Sequence, residues 1–352
     1  MAIPSLLDHI KYRYSIVITN TTTGDIIDVS KSFENAVWTT YRHSSQSGVL
    51  EVTIKEGIHL TDTVIHEGSF INFFVNGEGY FHGRIEEVEL INNGEQGYVW
   101  RVKAYNSLWL LSMVENAKRE HGMTASDFFQ YLMDKYSHRG LQGVVREAAS
   151  IPLDREYYMG ESLFNMIDDS LVATHSQTAD ELFMIRDNMG VLEFREMKAL
   201  QTPYVLGDGS FTTSYAYTAN INTDTYNVIK GVRFNDDTGY VDTWWDTDTG
   251  TIDRWGWRQH IIEIQDHILD EEIETYLELV LEAKNRPVRN ARITAVGIAD
   301  PNMQAGAGIQ VRINRKQIDH MLFAETVTHV FSANDHVMDL EISVVVPVVG
   351  EV

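Results

Sequence analysis

Between Phe70 and Tyr105 the chain runs FINFFV, YFHGRIEEVEL and YVWRVKAY, with NGEG and NNGEQG between them. Side chains of a strand point alternately to two faces, so runs of this length and spacing suit strands with one face buried. A helix would scatter the same residues around its whole circumference. Asn-Gly pairs accept the left-handed backbone that tight hairpins need, so the stretch predicts an antiparallel meander. The pattern begins earlier, at Tyr14–Thr19, with TTTGD as a turn and Ile26–Val29 beyond it, and it returns in VLEVTI at 49–54. Short strands joined by glycine turns point to a small barrel or sandwich.

The middle of the chain changes period. Thr124 is a candidate N-cap with Asp127 three residues on, ahead of FFQYLMDKY. Phe128, Leu132 and Tyr136 then share one helical face, and Gly140 can end the helix. ESLFNMIDDSLVA predicts a second helix with Leu163, Ile167 and Leu171 in register. LFMIRDNMGVLEFREM predicts a hairpin about DNMG. Residues 112–205 therefore read as an α+β insert. The last third returns to β. YNVIKGVRF (226–234) and YVDTWW (240–245) flank the turn NDDTG, and a helix capped by Asp270 runs to about Lys284 on the apolar stripe Ile273, Leu277, Val280 and Leu281. The segment Glu263–Glu282 holds eight carboxylates and no Lys or Arg, which suits a solvated face.

Three stretches invite a chemical reading. VTHVFSANDHVMDLEISV (327–344) brings His329, Asp335, His336 and Asp339 into eleven residues. A turn at SAND, 332–335, places Phe331 opposite His336 and His329 opposite Met338. Val327, His329 and Phe331 then share a face with His336, Met338, Leu340, Ile342 and Val344, while Asp339 and Glu341 point away. The histidines become diagonal neighbours on an apolar face without a strand carboxylate beside them. Zinc needs three or four ligands, so packed core histidines are the expectation. DTDTGTID (246–253) is calcium-like but has Gly250, Thr251 and Trp257 where an EF-hand loop needs an oxygen ligand, a glycine and a glutamate. A hairpin turn is expected there. Trp244, Trp245, Trp255 and Trp257 surround it as core or subunit interface, with a sugar platform as the alternative. AGAGIQV (305–311) lacks the spacing of a nucleotide loop, and GDGSF (207–211) lacks that of a nucleophile elbow. Residues that would carry catalysis, a metal or a cofactor are therefore expected to be none.

Composition narrows the classes further. There is no cysteine among 352 residues, which removes disulfides, cysteine–zinc sites and thiol nucleophiles. The net charge of -23 gives no overall drive toward nucleic acid or an anionic membrane. No apolar run reaches membrane-spanning length and no signal peptide is expected.

The order of these segments resembles the baseplate hub proteins of phage tails and related contractile particles, nearest to hubs of contractile-tailed phages and PBSX-like defective prophages. Late control protein D and the hub part of type VI spike proteins are similar at a greater distance. FHGRIEEVEL (81–90), RWGWRQHIIEIQD (254–266), ITAVGIADPNMQAGAGIQVRI (293–313) and the terminal VTHVFSANDHVMDLEI carry the resemblance, with MTASDFFQYL and ESLFNMIDDSL at the insert helices. AGAG at 305–308 departs from it, having a small residue where the family commonly carries a charged one.

The resemblance implies a mainly β chain with an α+β insert: two tail-tube-like antiparallel β-barrel domains, 1–111 and 206–352, flanking a smaller α+β domain at 112–205. It implies a non-enzymatic homotrimer that adapts a six-fold tail tube to a three-fold spike and forms part of the central channel. The expected partners are the tail tube protein, the central spike, the tape measure protein and other baseplate proteins. Neither sequence-specific nucleic-acid binding nor membrane insertion is expected. The expected place is the virion tail baseplate, assembled in the host bacterial cytoplasm, with any lytic activity on another protein. Part of the acidity would line the lumen. The rival reading is a carbohydrate-binding or hydrolytic tail protein acting on the host cell wall.

Overall fold

The alternating runs become strands β1 (Tyr14–Thr19), β2 (Ile26–Asp28), β3 (Phe33–Tyr41), β4 (Val49–Lys55), β5 (Phe70–Val75), β6 (Glu78–Asn92) and β7 (Tyr98–Asn106). The insert follows with β8 (Val114–Arg119), α1 (Ala125–Lys135), β9 (Gly143–Val145), β10 (Glu156–Ser162), α2 (Leu163–Gln177), β11 (Phe183–Asn188) and β12 (Val191–Glu196). Next come β13 (Gln201–Gly207), β14 (Thr212–Asn220), β15 (Val228–Asn235), β16 (Tyr240–Thr247), α3 (Thr249–Trp255), β17 (Gln259–Glu263) and α4 (Ile273–Lys284). The chain ends in β18 (Val288–Val296), β19 (Gly308–Ile313), β20 (Ile318–Ser332) and β21 (Asp335–Ser343). The structure is a computed structural model that describes residues 12–343 apart from 44, 56–63, 95–96, 179–180, 236–238, 265–269, 271–272 and 333–334.

Strand FENAVWTTY, which no glycine turn announces, organises the principal sheet. Its alternation buries Ala36, Trp38 and Thr40. β3 pairs with β4 on one side and with β20 on the other, Trp38 lying opposite His329. The sheet order from β20 runs β3-β4-β7-β6-β5-β1-β2. β1 is thus several strands away from β3, yet the Tyr14 ring lies 4.9 Å from Phe33 and 5.9 Å from Phe331 of β20. The sheet therefore curls on itself around a core that includes Ile16, Trp38, Leu50, Phe73, Phe81 and Phe331. The small barrel expected from the alternation is present, and the chain is mainly β with large antiparallel sheets, as the resemblance implied.

The insert has its own core. Phe128, Phe129 and Leu132 of α1 meet Leu163 and Ile167 of α2 and Phe194 of β12. Thr124 caps α1 as expected: its hydroxyl accepts the Asp127 N–H at 3.1 Å, and the Asp127 carboxylate accepts the Thr124 N–H at 3.1 Å. Thr124→Ala is expected to lower stability by about 1 kcal/mol, read by denaturant unfolding. A loss near zero would show that water replaces the cap.

The chain forms two compact units. One comprises the described residues of 1–174, 181–216 and 291–342, and the other those of 175–180, 217–290 and 343–352. Residues 217–290 thus make a unit within the stretch that the sequence assigns to the second tube-like domain. Three strands in the order β16-β15-β17 form its sheet, and α4 covers one face. DTDTGTID is not a hairpin turn, contrary to expectation. Asp248 accepts N–H bonds from Gly250 at 2.9 Å and Thr251 at 3.3 Å, and so caps the short helix α3. β17 then passes over to pair parallel with β15, a connection a hairpin cannot make.

Candidate functional site

The two histidines of the terminal hairpin lie where the strand alternation put them. His329 and His336 are 0% and 1% exposed, whereas Asp339 and Glu341 face solvent. The turn residues 333–334 and Val344 lie outside the described residues. His329 Nε2 is 2.6 Å from the Met303 carbonyl, and its Nδ1 is 2.9 Å from His336 Nε2. A carbonyl can only accept, so His329 carries its proton on Nε2 and accepts at Nδ1 from the Nε2–H of His336. His336 Nδ1 is then a bare acceptor, and it has no partner. The rings stack with Phe331 at 5.7 and 4.5 Å, and with each other at 5.2 Å.

Burial pushes His329 down to about 4, against a smaller opposing pull from the Met303 carbonyl. Burial pushes His336 down to about 3, with His329 adding to it. The pair is neutral core. Met303 sits in the ADPNMQ stretch, so this hydrogen-bonded chain ties that loop to the barrel wall. Among the described residues no group of three or more His, Asp, Glu or Cys is placed to hold a metal ion.

The outer face of β5–β7 and the insert enclose a groove of about 350 Å³. Phe70, Arg84 and Tyr105 are cross-strand partners along its floor. His82 stacks on Phe70 at 5.4 Å, and the Arg84 guanidinium lies 5.9 Å from the Trp109 ring. At its wall, the N–H groups of Ser107 and Gly190 donate to the Asp187 carboxylate at 3.0 and 3.1 Å. Burial pushes Asp187 up to about 6, against those hydrogen bonds. The groove can receive a flat ring or a carboxylate. It contains no nucleophile held by a base.

No local pattern marks the buried charges of the insert. Glu193, 2% exposed, is 2.7 Å from Arg146 and 3.1 Å from Arg195. Burial raises its pKa, but hydrogen bonds from Asn188, Arg146 and Arg195 outweigh this and hold it low. Arg119 is likewise buried, 3.0 Å from Asp169 and 2.9 Å from the Tyr158 hydroxyl. These are satisfied structural pairs. Their only signal would have been a charged residue inside a strand pattern, which the runs VENAKR and VLEFRE do not set apart from a solvated one.

The four tryptophans do not act together. Trp244 packs against the core under α4, Trp255 is half-buried at the end of α3, and Trp245 and Trp257 are exposed. Asp248 is occupied by its cap and by Asn285 Nδ2 at 2.6 Å, which leaves no calcium-like loop.

The YQBQ-like family profile matches residues 36–343, most of the chain. The chain belongs to the YQBQ-like family. No curated protein matches its sequence. Among solved structures, this YQBQ-like chain is similar to the 43 kDa tail protein of prophage MuSo2 from Shewanella oneidensis. That likeness has a TM-score of 0.66 and 13% identity, over 94% of this chain and 98% of that one. The tail protein of Neisseria meningitidis MC58 gives 0.66 and 11%, over 94% and 96%. Prophage tail protein gp18 of Listeria monocytogenes gives 0.59 and 10%, over 94% of each. At such low identity the likeness establishes the fold: the YQBQ-like chain has the fold of prophage tail proteins, in agreement with the resemblance read from its motifs.

Proposed function

We propose that this chain is the structural baseplate hub of a phage tail or phage-tail-like contractile particle. The observation that carries the reading is end-to-end likeness: the fold spans 94% of this chain and 98% of a prophage tail protein. The geometry is consistent with a mechanical role, because the buried histidines, arginines and carboxylates are engaged in holding strands and loops together.

In this reading the protein is a homotrimer. Each copy contributes two tube-like domains, so three copies offer six to the tail tube and three-fold symmetry to the spike. The domains lie at 1–111 and 206–352, with 112–205 at the rim against other baseplate proteins. The tape measure protein would pass through the channel. The protein makes no chemical step, and its place is the virion tail baseplate, reached by assembly in the bacterial cytoplasm.

The test is the position of the protein in the particle. Gold-labelled antibody on negatively stained tails is expected at the tube–spike junction, and light scattering is expected to give three chain masses. Label at the fibre tips, or absence from purified tails, would overturn the hub.

A further inference from the structure

Segments between strands run over the surface as a rule, because a buried one must find a partner for every backbone N–H. Residues 297–307, between β18 and β19, break that rule. Met303, Gln304, Ala305, Gly306 and Ala307 are buried in succession. Every backbone N–H from Asn302 to Ala307 nevertheless has an acceptor. Several of these bonds go to the barrel. The Ala305 N–H donates to Thr40 Oγ1 of β3 at 2.9 Å, and the Gly306 N–H donates to the Ala324 carbonyl of β20 at 2.7 Å. The Met303 carbonyl accepts from His329 of β20 at 2.6 Å.

The other side of the segment meets the insert. Asn302 Oδ1 accepts from the Arg186 guanidinium of β11 at 3.1 Å. Arg186 is buried, so giving up this bond would leave a desolvated charge with one acceptor fewer. Gly306 has a φ of +83°, and a Cβ there would collide with the sulphur of Met184, also on β11. AGAG, the turn at which the sequence departs from the resemblance, is thus the part that β11 presses on. All of these residues belong to the first compact unit. The insert has a core of its own, and a part with its own core can open separately once its fastenings go.

We propose that residues 297–307 are a strap that locks the insert onto the barrel wall. Loosening the strap at β3 or β20 frees β11 of the insert, and displacing β11 loosens β20, because a coupling between two parts acts equally in both directions. The strap joins parts of one chain, so it stands whatever particle the protein belongs to.

The test is native-state hydrogen exchange of the full-length protein, read at the backbone amides of β11 in the insert and of the central strand β5 in the barrel. Thr40→Val removes the oxygen that accepts from Ala305. It is expected to speed exchange in β11 about tenfold, the effect of leaving one buried N–H without an acceptor, while β5 keeps its rate. Thr40→Ser keeps the oxygen and should restore the wild-type rate in β11. Thr328→Val deletes the 3.2 Å hydroxyl contact with Thr39 on the opposite face of the same two strands, and should leave β11 unchanged. If Thr40→Val fails to fold, Asn302→Ala carries the test from the insert side, because Asn302 is exposed. It should speed exchange about tenfold at the Ala324 amide of β20, which donates to the Ala307 carbonyl. Wild-type exchange in β11 of Thr40→Val, or at Ala324 of Asn302→Ala, overturns the proposal. So does equal acceleration of β11 and β5, which would mean a general loss of stability, and so does an effect of Thr328→Val as large as that of Thr40→Val.

Discussion

Lowering the pH from 7 to 4.5 should remove about 5 kcal/mol of folding free energy through His329 and His336 alone. In the unfolded chain both rings titrate near 6.5, whereas in the barrel they are held at about 4 and about 3. The unfolded state therefore binds more protons below pH 6.5, and stability falls as pH falls through that window. Two pH units of unequal proton uptake are worth about 2.7 kcal/mol per ring. Asp187 works in the opposite sense. Its folded value, about 6, lies above that of a free aspartate, so it favours the fold as pH drops from 6 toward 4. The diagnostic quantity is thus a difference between proteins. His336→Phe keeps the ring on Phe331 and deletes one titrating group. Its denaturant midpoint should move with pH by about 2.5 kcal/mol less than that of the wild type. Equal pH profiles would show that His336 takes up its proton as readily in the fold as in the unfolded chain.

Gly83→Ala should destabilise the fold by about 3 kcal/mol, because the strand wall at β6 has no room for a methyl group. A Cβ there would lie 2.3 Å from the Tyr105 carbonyl oxygen and 2.5 Å from the Phe81 ring. The first of these is backbone and cannot swing aside. Gly24→Ala is the matched control: its φ is +77° but nothing lies within 4 Å, so only backbone strain of about 1 kcal/mol is expected. Equal losses in the two variants would mean that the wall relaxes and that the glycine of FHGRIEEVEL has another reason to be there.

How much of this was legible follows from which interactions are local. Strand alternation put Val327, His329 and Phe331 on the core face because period two is a property of the backbone itself. The Thr124 cap was legible for the same reason, since its partner is three residues away. DTDTGTID misled because residues that make turns also cap helices, and only the parallel pairing of β17 with β15 separates the two. The tryptophans looked like one cluster because they are close in sequence, yet adjacent Trp244 and Trp245 must point to opposite faces of a strand. Alternation alone would have shown that, so Trp245 rather than Trp244 is the residue with which to test a surface role. The partners of Glu193 and Arg119, and the carbonyl that fixes His329, come from distant segments that no local pattern names.

The pairing of β3 with β20 sets a timetable for synthesis. Tyr41 waits for Thr326, and the first core waits for Phe331. At 5–20 residues per second a ribosome needs roughly 15–60 s to cover that separation. Through that interval β3 presents an unpaired edge and an unfilled ring of aromatic side chains. The nascent chain is therefore expected to depend on holdases until its last strand emerges, and C-terminal truncations short of Phe331 to aggregate rather than yield a smaller folded barrel.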